Sequence, residues 1–358
     1  MDADLLKLVT DVTYYVVFHV TRALLVFLQR DSYLYWPFLL STLLIVLFMS
    51  RLSGRGATPA VDGSPAGIGG WRQFFRWKLW WHRSARADYK IYFVNALVFP
   101  LLLVPLLLSD LKVAGLLDAV FGRETISAGV AAEPAGLLAR VLFTLVFFVA
   151  WDFGRFVAHS LLHDIPALWE FHKIHHSAEV LTPMTSFRLH PLEILIMAWG
   201  QVMATGVVTW LFNLAGGGVT AYTFLGLHVV IWGFSLIDNL RHSPVWVSYG
   251  PTVGRWLVSP AHHQLHHSIE ARHLGCNRGS NLAIWDRLYG TLYVPGYQPE
   301  VFQMGLGDGT EAKWNSVWRM YLAPFAACAR QMVRVFRRED VLKSPRATAS
   351  RRPPLTRG

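Results

Sequence analysis

The stretch LEILIMAWGQVMATGVVTWLF, residues 192–212, decides the fold class. A helix needs roughly 20 predominantly apolar residues to cross a bilayer, and this run supplies them. Working outward, four further runs approach or exceed that length: LYWPFLLSTLLIVLFM (34–49), IYFVNALVFPLLLVPLLL (91–108), LLARVLFTLVFFVAW (137–151) and TAYTFLGLHVVIWGFSLI (220–237). A weaker one, VTYYVVFHVTRALLVFL (12–28), carries His19 and Arg22 and either spans or lies in the interface. The 358 residues are 53% hydrophobic and only 16% charged, with 15 Trp, which argues against an ordinary soluble enzyme. The expectation is an all-α integral membrane protein with five or six transmembrane helices and a cytoplasmic, histidine-rich helical cap.

A net charge of +10 raises the question of nucleic acid, but its distribution points to a membrane surface. Residues 51–90 hold eight Lys/Arg and the tail from Arg330 nine more. The positive-inside rule places both in the cytoplasm. Six spans then put 159–190 and everything after 237 on that same face, and five spans move only the N-terminus. The segment WRQFFRWKLWWHR (71–83) interleaves tryptophans with cations and reads as an interfacial helix. Single-stranded nucleic acid is the less favoured partner for such a stretch. The start, MDADLLK, is acidic and no cleavable signal follows it. Cys276 and Cys328 give neither a disulfide framework nor a CxxC metal pair. LSGRGATPAVDGSPAGIGG (52–70) reads as a mobile linker, 109–136 as an extracytoplasmic loop, and GLGDG (305–309) as a turn.

Thirteen of the fifteen histidines fall between 159 and 273. HSLLH gives His159 and His163, HKIHH gives His172, His175 and His176, RHSP gives His242, and HQLHH gives His263, His266 and His267. On a helix, positions three and four apart share a side, so the rings of one HxxHH can converge. Eight or nine imidazoles exceed the four ligands of a structural zinc site and suit two metal ions with open positions. Ligand type leaves iron, copper, nickel and zinc open. A neutral imidazole needs its second nitrogen bonded to hold its tautomer. Asp152, Asp164, Glu170, Asp238 and Asp286 are the nearby acids available for that task. His19, His82 and His228 read as isolated packing rings.

In order, HSLLH, LWEFHKIHHS, RLHPLE, NLRHS, SPAHHQLHHS and WDRLYGTLYVP resemble the fatty acid hydroxylase/sterol desaturase superfamily of membrane-bound oxygenases over roughly 140–295. The resemblance implies a non-haem di-iron centre on the cytoplasmic face, ligated by His159, His163, His172, His175, His176, His263, His266 and His267, with His242 between the boxes. His190 and His273 stand where the family often has further histidines, and they are accessory, with Asp152, Asp238 and Asp286. This chain departs from the family in reading NRGS (277–280) where Asn-Tyr-Gly is common, and His262 is an extra ring that is not counted as a ligand.

The implied reaction inserts one oxygen atom of O₂ into a C–H bond of a fatty acyl chain or sterol-like lipid, or desaturates it. The other oxygen leaves as water, and two electrons and two protons are consumed. No dinucleotide fingerprint or cluster-binding cysteine set is present, so electrons come from a separate reductase, ferredoxin or cytochrome. A zinc-dependent membrane hydrolase would want an HExxH glutamate, and none of the boxes has one. A metal transporter or electron carrier would place its ligands at mid-membrane. The domain expectation is membrane segments at 1–50, a basic linker and interfacial helix at 51–90, a span and loop at 91–137, the catalytic domain at 138–296 and a cytoplasmic C-terminal region at 297–358.

Overall fold

The computed structural model describes residues 3–52, 71–122, 136–215 and 219–336. The linker at 53–70, residues 123–135 of the expected loop and the tail from 337 lie outside the described residues. In chain order the helices are α1 (Ala3–Leu24), α2 (Trp36–Leu52), α3 (Trp71–Phe74), α4 (Trp77–Trp80), α5 (Arg83–Leu102), α6 (Asp110–Phe121) and α7 (Leu137–Asp164). They continue with α8 (Pro166–His176), α9 (Pro191–Leu214), α10 (Val229–Asp238), α11 (Gly250–Val253), α12 (Pro260–His266), α13 (Ile284–Tyr289) and α14 (Val317–Phe336). The antiparallel pair β1 (Thr223–Phe224) and β2 (Leu227–His228) is the only sheet among the described residues.

The spine is the pair α7 and α9. Both are long and apolar enough to cross a bilayer, and they lie backbone to backbone where glycines meet. A Cβ on Gly154 would sit 2.1 Å from the Gly200 carbonyl oxygen, and one on Gly200 would sit 2.6 Å from that of Gly154. Outward, Leu138, Leu142, Leu145 and Val149 stay exposed, the surface that hydrocarbon would cover. A third span-like unit is the pair Arg83–Leu102 and Val104–Phe121, bent by 52°. Its break falls beside Pro100 and Pro105, where backbone donors are missing.

Three expectations change here. Residues 110–121, expected within a loop, form α6: Ser109 caps its start by accepting from Lys112 N at 3.2 Å, and Val113 fills the space left by Gly206 of α9. The run 220–237, expected to span, spends its first half on the strand pair, with a turn at Leu225 and Gly226, both at positive φ. Only ten helical residues remain in α10, about 15 Å of rise against a hydrocarbon core of about 30 Å. The start of the chain is helical over Ala3–Leu24, but Lys7, Asp11 and Arg22 keep it below the apolarity of a span. Two helices, or three counting the bent pair, therefore have span character among the described residues, where five or six were expected. The turn at 305–309 is as expected: Gly305, Gly307 and Gly309 all have positive φ, and Glu311 Oε1 accepts from Leu306 N and Gly307 N.

Beyond the span ends the chain folds into short helices and loops fixed by buried polar contacts. Arg188 is fully buried and pairs with Asp88 at 2.9 Å. It also donates to the carbonyls of Ile174 and Trp314 and to Ser177 Oγ, tying the C-terminal end of α8 to α5. Asp152 accepts from Asn281 N and Nδ2, Leu282 N and Trp285 Nε1, which pins the 281–285 segment to α7. α14 packs on α8, with Met320 buried beside Ile174.

Candidate metal centre

Nine histidines from four segments of chain come together at the end of α7. They form two groups: His159, His163, His172, His176 and His266, and His175, His242, His263 and His267. Within each, one ring nitrogen per residue lies within 4.8 Å of all the others. These are the nine rings singled out from the sequence.

The repeated HxxHH has a geometric reading. Along α8, His172 and His176 are four apart and join the first group, while His175 turns into the second. In and just beyond α12 the roles reverse: His263 and His267 join the second group and His266 the first. Rings at i+3 and i+4 point about 100° apart on a helix, so each motif serves both groups. His159 and His163 of α7 add to the first, and His242 from the turn after α10 adds to the second. The groups touch, with the His176 and His267 rings stacked at 4.6 Å.

The nitrogens within a group are closely spaced. His159 Nε2 is 3.1 Å from His172 Nε2, and His163 Nε2 is 3.2 and 3.1 Å from those of His159 and His266. In the second group His242 Nε2 is 2.9 Å from His263 Nε2 and 3.3 Å from His175 Nε2. What separates this from a hydrogen-bonded chain is the opposite side of the rings. The Arg278 carbonyl can only accept, so His159 Nδ1 donates to it at 2.7 Å, and His266 Nδ1 likewise donates to the Cys276 carbonyl at 2.7 Å. With Glu193 as the carboxylate, His172 Nδ1 donates to its Oε1 at 2.7 Å. A neutral imidazole has one N–H, so the His159 and His172 Nε2 atoms face each other as lone pairs. Two acceptors at 3.1 Å repel unless a cation lies between them. Imidazole nitrogens about 2.0–2.1 Å from one ion stand about 2.8–3.4 Å apart at cis-octahedral to tetrahedral angles. The donor set fits a metal ion in each group.

Burial holds the rings in the neutral form that ligation needs. Desolvation, reinforced by neighbouring imidazoles, pushes His175, His176, His263 and His267 well below the ordinary histidine range. Desolvation, with the Arg241 charge behind it, lowers His242 to about 3.

The remaining expected residues sit elsewhere. His190 caps α9, accepting from Leu192 N and reaching the Tyr321 carbonyl at 3.2 Å. His273 bonds Ser268 Oγ at 2.9 Å and lies 3.3 Å from Glu300. His262 caps α12 against Ser259, and His228 meets the Thr144 carbonyl at 3.0 Å. The acids put forward to hold the tautomers are engaged in other work. Asp152 holds the 281–285 segment, Asp164 pairs with Arg278, Glu170 with Lys173 and Asp238 with Arg241. Asp286 accepts from Arg278 N, Gly279 N and Thr291 Oγ1. Asp286 and Asp152 thus act at one remove, shaping the loop whose Arg278 carbonyl meets His159. Glu193, Ser186 (2.9 Å from His242 Nδ1) and two main-chain carbonyls orient the rings. A cavity of about 630 Å³ reaches both groups, touching His159 and His172 of one and His175, His242 and His263 of the other.

An apolar helical pair carrying interlocked histidine triplets at one end defines a histidine-box membrane protein. The comparisons with known proteins point the same way. Residues 144–291, about two fifths of the chain, match the family model described as fatty acid hydroxylase. It is 31% identical over 145 residues to the ornithine lipid hydroxylase OlsE of Rhizobium tropici, covering 40% of each chain. It is 29% identical over 157 residues to human cholesterol 25-hydroxylase, 44% of this chain and 52% of that protein. It is 26% identical over 150 residues to the alkylglycerol monooxygenase of Xenopus tropicalis, 41% of this chain and 30% of that protein. The match thus spans about half or less of the length of these relatives. No solved structure matches the chain.

Proposed function

We propose that the protein is a multi-pass membrane oxygenase that hydroxylates a lipid C–H bond with O₂, using two non-haem iron ions and electrons from a separate carrier. The observation that carries this reading is the His159–His172 nitrogen pair, lone pair to lone pair at 3.1 Å inside a nine-imidazole cluster in which seven rings are buried and His163 and His263 are partly so. His159, His163, His172, His176 and His266 would hold one ion and His175, His242, His263 and His267 the other. When bound, the irons supply the oxidising power that no side chain has. The chain's own residues do the rest. Glu193 and the Arg278 and Cys276 carbonyls keep His159, His172 and His266 protonated on Nδ1 and so aimed with Nε2 inward. Burial keeps water from the rings and keeps them unprotonated. The cavity brings a lipid from the bilayer against both groups.

The relatives' names support a hydroxylase over a desaturase: each printed activity is a hydroxylation or mono-oxygenation of a lipid. The positive-inside charge pattern supports a cytoplasmic face for the site. The test is lipid analysis of cells with the chain, without it, and with His176→Ala. A lipid gaining 16 mass units (one oxygen atom) only with the wild-type chain, and labelled by ¹⁸O₂, supports the reading. Absence of any O₂-dependent lipid product overturns it.

A further inference from the structure

The cavity lining is part apolar and part charged. Phe99, Pro100 and Val104 of the bent α5–α6 unit and Met197 and Ala198 of α9 line the apolar part. Five charged side chains with defined partners belong to the charged part. Arg22 lies 3.8 Å from Asp31, Arg241 lies 2.8 Å from Asp238, and Glu193 Oε1 lies 2.7 Å from His172 Nδ1. Arg155 is different. Its Nε donates to Ser280 Oγ at 2.7 Å and it bonds the Tyr33 side chain, both neutral groups. Among the described residues no carboxylate lies within 4.0 Å of its guanidinium, and Asp238, Asp152 and Glu193, the last in the same cavity wall, act on it only at longer range. The Asp152 oxygens are already occupied by four donors. The wall therefore carries one positive charge without a contacting counter-charge, in a site where desolvation makes such a charge costly.

Arg155 also stands one helical turn before His159 on α7, about 6 Å along the axis. A guanidinium presents a planar set of donors that matches carboxylate or phosphate oxygens. From this we infer that the cavity is built for an amphiphile with an anionic headgroup. Arg155 receives the carboxylate or phosphate, and the hydrocarbon runs toward Val104 and Met197. The inference rests on the proposed lipid oxygenase and adds two things to it: the charge of the substrate, and reaction at a carbon close to its polar end.

The test is equilibrium binding of labelled hexadecanoic acid, hexadecyl phosphate, 1-hexadecanol and cholesterol to the detergent-purified full chain. Wild-type protein is expected to bind at least one anionic probe about tenfold more tightly than hexadecanol. The tighter of the two anionic probes identifies a fatty acid or a phosphate headgroup as the source. Arg155→Gln is expected to bring the affinity for the anionic probe down to that for hexadecanol, and Arg155→Lys to keep part of the difference. Equal wild-type affinity for the acid, the phosphate and the alcohol overturns the inference without any variant. So does a preference that survives Arg155→Gln. Iron content and ¹⁸O incorporation measured on the same preparations separate this from the oxygenase reading. An iron-loaded chain that oxygenates only neutral lipids defeats the Arg155 inference alone. Arg155-dependent anion binding in a chain with neither iron nor oxygenation defeats the oxygenase reading alone.

Discussion

His172 Nδ1 and Glu193 Oε1 lie 2.7 Å apart, both almost fully buried, and the bond joins the histidine-bearing helix α8 to the first turn of α9. A carboxylate accepting from Nδ1 fixes the tautomer and raises the basicity of Nε2. Glu193→Gln is expected to keep the shape while lowering metal affinity about tenfold, and Glu193→Ala about a hundredfold. Competitive chelator titration reads both. Unchanged retention in Glu193→Ala would mean that the pair has no bearing on the metal.

The buried rings make the metal-free protein acid-sensitive. His242 falls from an ordinary 6.5 to about 3, and His175, His176, His263 and His267 fall well below 6.5. Below about pH 6.5 the unfolded chain binds more protons than the folded one, so stability is full above that pH and falls as pH drops toward 3. Thermal unfolding of chelator-treated protein should show Tm decreasing from about pH 7 to pH 5. A flat profile would contradict the buried neutral cluster.

Gly154 faces Gly200 with no space for a side chain, since an added Cβ would overlap a backbone oxygen at 2.1 Å. Gly154→Ala must separate α7 from α9, at a cost of about 3 kcal/mol, and α7 carries His159 and His163. Lower Tm and lost metal are expected together. Gly115→Ala, where nothing lies within 4 Å, is the control expected to leave both unchanged.

Arg188 and Asp88 form a fully buried pair at 2.9 Å beneath the end of α8. Arg188→Met leaves Asp88 without its counter-charge and frees the Ile174 carbonyl, for a loss of about 3–5 kcal/mol. The double variant Arg188→Met/Asp88→Leu should recover part of that loss in thermal unfolding. No recovery would show that Arg188 acts through its main-chain bonds rather than through the ion pair.

The site was more legible in the sequence than the membrane topology was. HxxHH spacing fixes which side of a helix the rings share, so the nine rings could be chosen, although not their division between two groups, which depends on how α8 and α12 face each other. Glu193 was missed although its signal was present: a carboxylate inside the apolar run 192–212 has to find a buried partner. The carbonyls of Arg278 and Cys276 carry no side-chain signature at all. Hydropathy alone does not see local geometry, and two or three helices among the described residues have span length and apolarity. The run 220–237 is apolar throughout most of its length, yet the turn at Leu225 and Gly226 uses up the residues a span would need.

Metal analysis of the purified chain is decisive, because α8 feeds both groups. About two irons per chain are expected, falling toward one in both His172→Ala and His175→Ala, with losses from different ions distinguishable by Mössbauer spectroscopy. A single ion, or one spectroscopic component removed equally by both substitutions, would contradict that expectation.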